Sequence, residues 1–135
     1  IGPAASLKTL EVMQREKSWE FISKTGTEIG ERWMKLGKKY ELPIEIGGLP
    51  ALIRFKINSG NWLKYKTLIT QEMLKKNFLA ANSVYVCTKH KSVIVDEYFE
   101  HLDPIFSLIN TCENGRNIDD LLEGPVCHSG FKRLN

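Results

Sequence analysis

The sequence predicts an α+β domain in which helices pack on one face of a small, mainly antiparallel sheet of three strands. Two observations carry this prediction. Residues 18–41 repeat apolar side chains every three or four positions, as an amphipathic helix does, whereas residues 44–57 alternate in character, as a strand does. Pro43, Gly47 and Gly48 mark the change of period. The predicted order of elements is α-α-β-β-α-β-α.

The helix at residues 18–41 organises the rest of the prediction. Its apolar stripe consists of Trp19, Ile22, Gly26, Ile29, Trp33, Leu36 and Tyr40. Ser18 is predicted to cap its N-terminus, and Pro43 forces the preceding residue out of the α region. Each of its three glycines costs an isolated helix about 1 kcal/mol. We therefore expect packing against another element that comes close to the glycines.

The elements on either side of this helix follow from local signals. A first helix is predicted over residues 4–16, with Pro3 in its first turn and a break at Lys17. After Pro43 we expect a strand at residues 44–46 and a bend at the two glycines. A second strand at residues 51–57 turns Ile53, Phe55 and Ile57 to one side, and Arg54 and Lys56 to the other.

In the second half of the chain, helices and a strand are also predicted from local signals. A third helix is predicted over residues 63–77 and a third strand over residues 84–87, which is β-branched and aromatic. Ser92 is predicted to cap a fourth helix that contains Pro104. An interior proline predicts a kink, or a break with Asp103 as a new N-cap. One further helical turn is expected at residues 118–122.

Size and charge exclude several classes of protein. A chain of 135 residues suits one domain, and 42% hydrophobic with 26% charged residues is an ordinary globular composition. The net charge of +3 is small and the lysines are scattered, which does not indicate binding to nucleic acid. The sequence shows no apolar run long enough to span a membrane and no signal peptide. We therefore expect a cytoplasmic protein with neither nucleic-acid nor membrane partners.

The cysteines are odd in number and lack the spacing of a disulfide framework: Cys87, Cys112 and Cys127. This pattern indicates free thiols in a reducing compartment, and Cys87 is expected to be buried in the third strand. A zinc site built from Cys127, His128 and either His90 or His101 would gather distant ligands without a CxxC hairpin, so we expect no metal. For His90 we expect a structural role before the fourth helix rather than acid–base chemistry.

Four segments, in order, resemble class III pyridoxal-phosphate aminotransferases. Residues 2–13 (GPAASLKTLEVM) are similar to the helix that leaves the large domain of those enzymes, and residues 42–48 (LPIEIGG) to the first small-domain strand. Residues 88–90 (TKH), followed by a helix that holds residues 94–96 (IVD), resemble the glutamate-1-semialdehyde aminomutase subgroup. The end of the chain, residues 121–134 (LLEGPVCHSGFKRL), is similar to endings found in sugar- or polysaccharide-linked members.

The resemblance implies a C-terminal small domain. Residues 1–17 would be a linker helix from a large domain, residues 18–123 the small domain and residues 124–135 a tail. Full-length members of the family are homodimers that transfer an amino group with pyridoxal phosphate carried on a lysine. No lysine here stands in a matching context, so the cofactor would be bound upstream of Ile1. We expect the isolated chain to bind no cofactor and to be inactive.

The resemblance also points to candidate substrate contacts. Asn82 and Ser83 stand where the subgroup brings a small-domain loop to the mouth of the active site, although Asn and Ser are also common in ordinary loops. Related enzymes grip a substrate carboxylate with a small-domain arginine, but a solvated role for Arg54 is the simpler interpretation. A different class of function stays open. The chain could be an autonomous α+β module that binds a protein through its exposed sheet face or its first helix.

Overall fold

The structure, a computed structural model, describes residues 1–130 and has an α+β fold, which confirms the predicted class. In that part of the chain the helices are α1 (Gly2–Glu16), α2 (Ser18–Lys39), α3 (Trp62–Leu74) and α4 (Ser92–Glu113); the strands are β1 (Ile44–Leu49), β2 (Leu52–Ile57) and β3 (Ser83–Tyr85); and a 3₁₀ turn follows at Ile118–Leu121. The expectations for the end of the tail fall on residues 131–135, outside the described residues. Among residues 1–130, no helix combines the length and apolar character that a membrane span requires.

The sheet has the order β1-β2-β3, and both pairs of neighbours are antiparallel. The predicted bend at Gly47 and Gly48 is wrong, because β1 runs through both glycines and stays paired with β2 as far as Leu49 opposite Leu52. Gly48 has a φ of 89°, and a Cβ there would meet the carbonyl oxygen of Leu52. Glycine therefore allows the strand to continue into a tight hairpin.

Helices α2, α3 and α4 pack on one face of the sheet, and the core lies between these helices and the sheet. Trp33 of α2 is fully buried against Phe55 of β2, with ring centroids 4.7 Å apart, and Phe55 in turn lies 5.8 Å from Phe106 of α4. The indole Nε1 of Trp33 donates to the hydroxyl of Tyr98, which is also on α4, at 3.0 Å. A buried indole needs such an acceptor, so this bond fixes α2 against α4.

The close approach expected at the glycines of α2 is present. A Cβ on Gly26 would overlap the carbonyl of Pro50 in the β1–β2 turn, and one on Gly30 would meet Cδ1 of Ile53. The predicted stripe is buried from Gly26 to Leu36, whereas Tyr40 is half-buried and Trp19 is 47% exposed. The sheet therefore covers the middle and C-terminal part of α2, and its first turn lies beyond the sheet.

Both predicted N-caps are wrong. The N-cap position of α2 is Lys17, whose φ of 45° lies in the left-handed region, and α1 and α2 meet there as predicted. The hydroxyl of Ser18 lies one residue further on, buried and without a hydrogen-bond partner in the described part of the chain. At α4 the N-cap is Lys91, and Ser92 is already helical with no side-chain cap bond.

Of the two outcomes predicted at Pro104, a kink or a break, the break is wrong, because α4 continues from Ser92 to Glu113. Leu102 and Phe106 are fully buried on either side of the proline, so packing holds both halves in one helix. Asp103 is not a cap. Its carboxylate accepts hydrogen bonds of 2.6 Å from Lys39 Nζ and from Tyr40 Oη, at the C-terminal end of α2.

Gly26→Ala should lower the free energy of unfolding by about 1–3 kcal/mol, because the methyl group would push against backbone at Pro50. Helix propensity alone predicts the opposite sign, a gain of roughly 1 kcal/mol. The matched control is Gly2→Ala in α1, where nothing lies within 4 Å of the new Cβ. Chemical denaturation of both variants measures the difference, and a stabilised Gly26→Ala protein would contradict the close contact.

Asp103→Asn should cost about 0.5–1 kcal/mol at neutral pH, since the carboxylate is 36% exposed and water screens the pair. Burial alone would raise the pKa of Asp103, but the bonds from Lys39 and Tyr40 outweigh burial and lower it. A lowered folded pKa means that the stabilisation is present above pH ~4 and fades as the pH falls through the folded pKa.

The measurement is the difference in unfolding free energy between wild type and Asp103→Asn at several pH values. Asp120→Asn is the control, because Asp120 is exposed and, within residues 1–130, accepts a hydrogen bond only from Asn117. A difference that grows in acid would contradict the assigned pair.

Candidate functional site

The candidate site is the uncovered face of the sheet, which we call the open face. Register places seven side chains and one glycine there: Glu45, Gly47 and Leu49 of β1, Leu52, Arg54 and Lys56 of β2, and Ser83 and Tyr85 of β3. The alternation of β2 is responsible, because its other residues, Ile53, Phe55 and Ile57, are buried under the helices. The predicted outward direction of Arg54 and Lys56 is confirmed.

Arg54 occupies the centre of the open face. It is on the middle strand, directly opposite Gly47 of β1 and Ser83 of β3. A Cβ on Gly47 would lie 3.5 Å from the arginine Nε, so the glycine leaves room for the side chain to lie across β1. Among residues 1–130 no carboxylate pairs with the Arg54 guanidinium. Its donors are therefore available to a bound anion.

Two shallow depressions, each of about 340 Å³, flank Arg54. One is polar at its rim, with Glu45 and Lys56 on one side and Asn82 on the other. The second has apolar walls, because Leu49 faces Leu52 and Leu52 faces Tyr85 across the strands. The open face thus combines a cationic centre with an apolar end.

Asn82 and Ser83 are adjacent in sequence, but the structure gives them different surroundings. The side-chain amide of Asn82 donates to the backbone carbonyl of Phe55 at 3.0 Å, and the backbone carbonyl of Asn82 accepts from the Phe55 N–H at 2.9 Å. Asn82 therefore holds the start of β3 against β2. Ser83 is exposed on the open face, opposite Arg54. Contact of either residue with a substrate stays a prediction, and Ser83 is the better placed of the two.

The expectation that Cys87 is buried in a strand is wrong. The third strand ends at Tyr85, two residues earlier than expected, and Cys87 is exposed in the loop that follows. Its N–H donates to Nδ1 of His90 at 3.1 Å. That bond closes the loop before α4 and gives His90 a structural contact, whereas no thiol–imidazole pair is formed through the sulfur.

No three His, Cys, Asp or Glu side chains among residues 1–130 are grouped closely enough to hold a metal ion. Cys127, considered above as a zinc ligand, instead joins the tail to α3. Its N–H donates to Thr67 Oγ1 at 2.9 Å, and its sulfur lies 3.5 Å from the carbonyl of Leu63.

The buried side chains whose pKa is shifted lie in the core. Burial, with a hydrogen bond to Glu113, raises the pKa of Tyr65 to about 12, and burial also raises the pKa of Tyr98 and of the Cys112 thiol. These groups stay neutral and serve packing. The open face therefore offers binding groups, a guanidinium and a hydroxyl, without a nucleophile and base held together.

Comparison with known protein families, with curated proteins and with solved structures finds no match to this chain. The class of protein defined so far is a small α+β domain with an open, cationic sheet face.

Sequence reasoning missed the apolar end of the open face and the role of Gly47. Leu49 and Tyr85 are 73% and 75% exposed, and they come together only through the register of three strands. The single available signal was the alternation of β2, which places Leu52 on the same side as Arg54.

The three thiols should differ in reactivity. Cys87 is exposed, Cys127 is half-buried against α3, and Cys112 is buried with a raised pKa, so its thiolate is scarce and shielded. A maleimide probe should label Cys87 first and Cys112 only as the protein unfolds. Mass spectrometry of peptides follows each site, with Cys87→Ser as the control. Labelling of Cys112 as quickly as Cys87 in the folded protein would contradict this assignment.

Proposed function

We propose that this chain is the C-terminal small domain of a class III pyridoxal-phosphate-dependent aminotransferase or aminomutase of the glutamate-1-semialdehyde aminomutase-like type. In this proposal the chain is inactive alone and works in the cytoplasm as part of a homodimeric enzyme. A sugar- or polysaccharide-linked substrate fits the resemblance at the end of the chain. The observation that carries the proposal is that α1 has apolar residues but none of its residues is buried.

The exposed apolar residues of α1 support the proposal that a neighbouring domain is missing. Leu7 is 69% exposed, Leu10 61% and Met13 38%. Between α1 and the start of α2 lies an open groove of about 570 Å³, whose lining includes Val12, Met13 and the buried Ser18. An uncovered apolar helix beside an uncovered groove is what separation of a domain from a larger body leaves behind. The large domain of the same polypeptide is the partner we propose for this surface.

The open face supports the same assignment. A cofactor enzyme has to hold the cofactor's reactive atom against the substrate, and in this proposal the small domain completes the substrate site. Arg54 and Ser83 could supply such contacts to an anionic substrate, and Asn82 positions the strand that carries Ser83. No lysine among residues 1–130 is buried, and in this proposal the lysine that carries pyridoxal phosphate lies upstream of Ile1.

The test uses the complete coding sequence that contains this chain. The full-length protein should show the visible absorbance of lysine-bound pyridoxal phosphate, and borohydride should fix the cofactor to that lysine. Peptide mass spectrometry should then locate the modified lysine upstream of Ile1. A coding sequence that starts immediately before Ile1, or a purified full-length protein that takes up no cofactor, would overturn the proposal.

An autonomous interaction module is the second candidate, and the apolar end of the open face favours it. Leu49, Leu52 and Tyr85 form a continuous exposed row across the three strands. Such a row fits a protein partner as well as it fits a neighbouring domain. This alternative requires no cofactor and no upstream domain.

Association of the isolated chain separates the two candidates. If α1 has lost its neighbouring domain, the chain should form dimers or larger species in light scattering, because its apolar face is uncovered. Replacing both Leu7 and Leu10 by Glu should then restore the monomer. Val93→Glu is the control, since Val93 is 72% exposed on a different helix. A strictly monomeric wild-type chain would favour the autonomous module.

A further inference from the structure

The outer edge of β3 is unpaired, and a groove lies directly beside it. Ladder bonds in an antiparallel pair use alternate residues. The Phe55 N–H donates to the Asn82 carbonyl, and the Val86 N–H donates to the Ala51 carbonyl. The backbone groups of Val84, which lies between residues 82 and 86, therefore also point towards β2. The backbone groups of Ser83 and Tyr85 therefore point away from the sheet. Among residues 1–130 they have no hydrogen-bond partner.

The groove beside this edge has a volume of about 320 Å³ and a mostly apolar lining, which also includes Ser83 and His90. Its floor consists of core residues from two helices, Ile29 of α2 and Val95 and Tyr98 of α4, and its rim includes Leu79 and Ile94. The helix layer thus extends beyond the last strand of the sheet. A fourth strand at the usual spacing of 4.7–4.9 Å from β3 would cover that part of the layer.

The two connections of β3 carry lysines and no carboxylates. Residues 73–95, which include both connections of β3, contain four lysines and no Asp or Glu. Lys75 pairs with Glu72 and Glu123, but Lys76 and Lys89 are exposed and form no ion pair within the part of the chain that the structure describes. An added strand with acidic residues would find complementary charge at both ends of the edge.

We propose that this edge, which we call the β3 edge, binds an extended acidic peptide segment of a partner protein as a fourth strand. Main-chain bonds to Ser83 and Tyr85 hold the segment, and one large apolar side chain, on the same side as Val84, enters the groove. Pairing of two β3 edges would bring like-charged lysine loops together, so a second copy is a poorer occupant. The inference does not depend on the aminotransferase proposal.

The test is a selection of random peptides of about ten residues, displayed on their encoding nucleic acid, against the full 135-residue chain. Enriched peptides should combine acidic residues with alternating apolar ones. A fluorescent copy of one enriched peptide then gives the affinity by anisotropy. Ile94→Glu should weaken binding by about tenfold or more, because it places a carboxylate in an apolar groove against an acidic peptide.

Val93→Glu is the matched control, since it adds the same charge one residue away on α4, outside the groove lining, and should leave the affinity nearly unchanged. N-methylation of alternate peptide amides tests the main-chain bonds: one alternating set should abolish binding and the other should be tolerated. The proposal is overturned by a selection without enrichment, by equal binding to both Glu variants, or by equal effects of the two methylated sets. A dimer of the chain that Ile94→Glu dissociates would also overturn it, in favour of a second copy.

Discussion

Close contact between α2 and the sheet is the constraint on which the rest of the structure depends. Gly26 lies on the carbonyl of the β1–β2 turn, and Gly30 and Gly37 accept side chains of β2 and β1. The glycines weaken the helix by itself, so burial of its face, with Trp33 at the centre, has to offset that cost. Because α2 packs on one face of the sheet, the apolar side of β2 turns towards α2, and Arg54 lies on the open face.

Much of this arrangement could be predicted from periodicity, because the period tells which side of an element is apolar. The period does not tell how far along the element the cover extends. Trp19 lies on the apolar side of α2 but beyond the end of the sheet. Ser18 is a residue type that often caps helices, but here it is the first residue inside the helix. Likewise, local propensity favours a bend at Gly47 and Gly48, while pairing with β2 keeps them in a strand.

The candidate site also contains one part that could be predicted from the sequence and one part that could not. Alternation in β2 was enough to place Arg54 outward. Its neighbours, Gly47 and Ser83, follow from register, which is fixed by a two-residue turn and by the order of strands rather than by any local pattern. The β3 edge could not be predicted for the same reason, because no local pattern in residues 83–85 indicates that they form an edge strand of the sheet. Cys87 shows the consequence: an early end of β3 turns an expected core thiol into an exposed one.

In this account α2 and the sheet form one cooperative unit, and α1, which is joined to α2 through Lys17, contributes no buried residue to that unit. Native-state hydrogen exchange tests this claim directly, since amides in a cooperative unit exchange together at the free energy of global unfolding. We predict that amides in the middle of α2 and in β2 share the slowest exchange, whereas those of α1 exchange at a much lower opening free energy. Protection of α1 equal to that of α2, in the monomeric chain, would contradict the account.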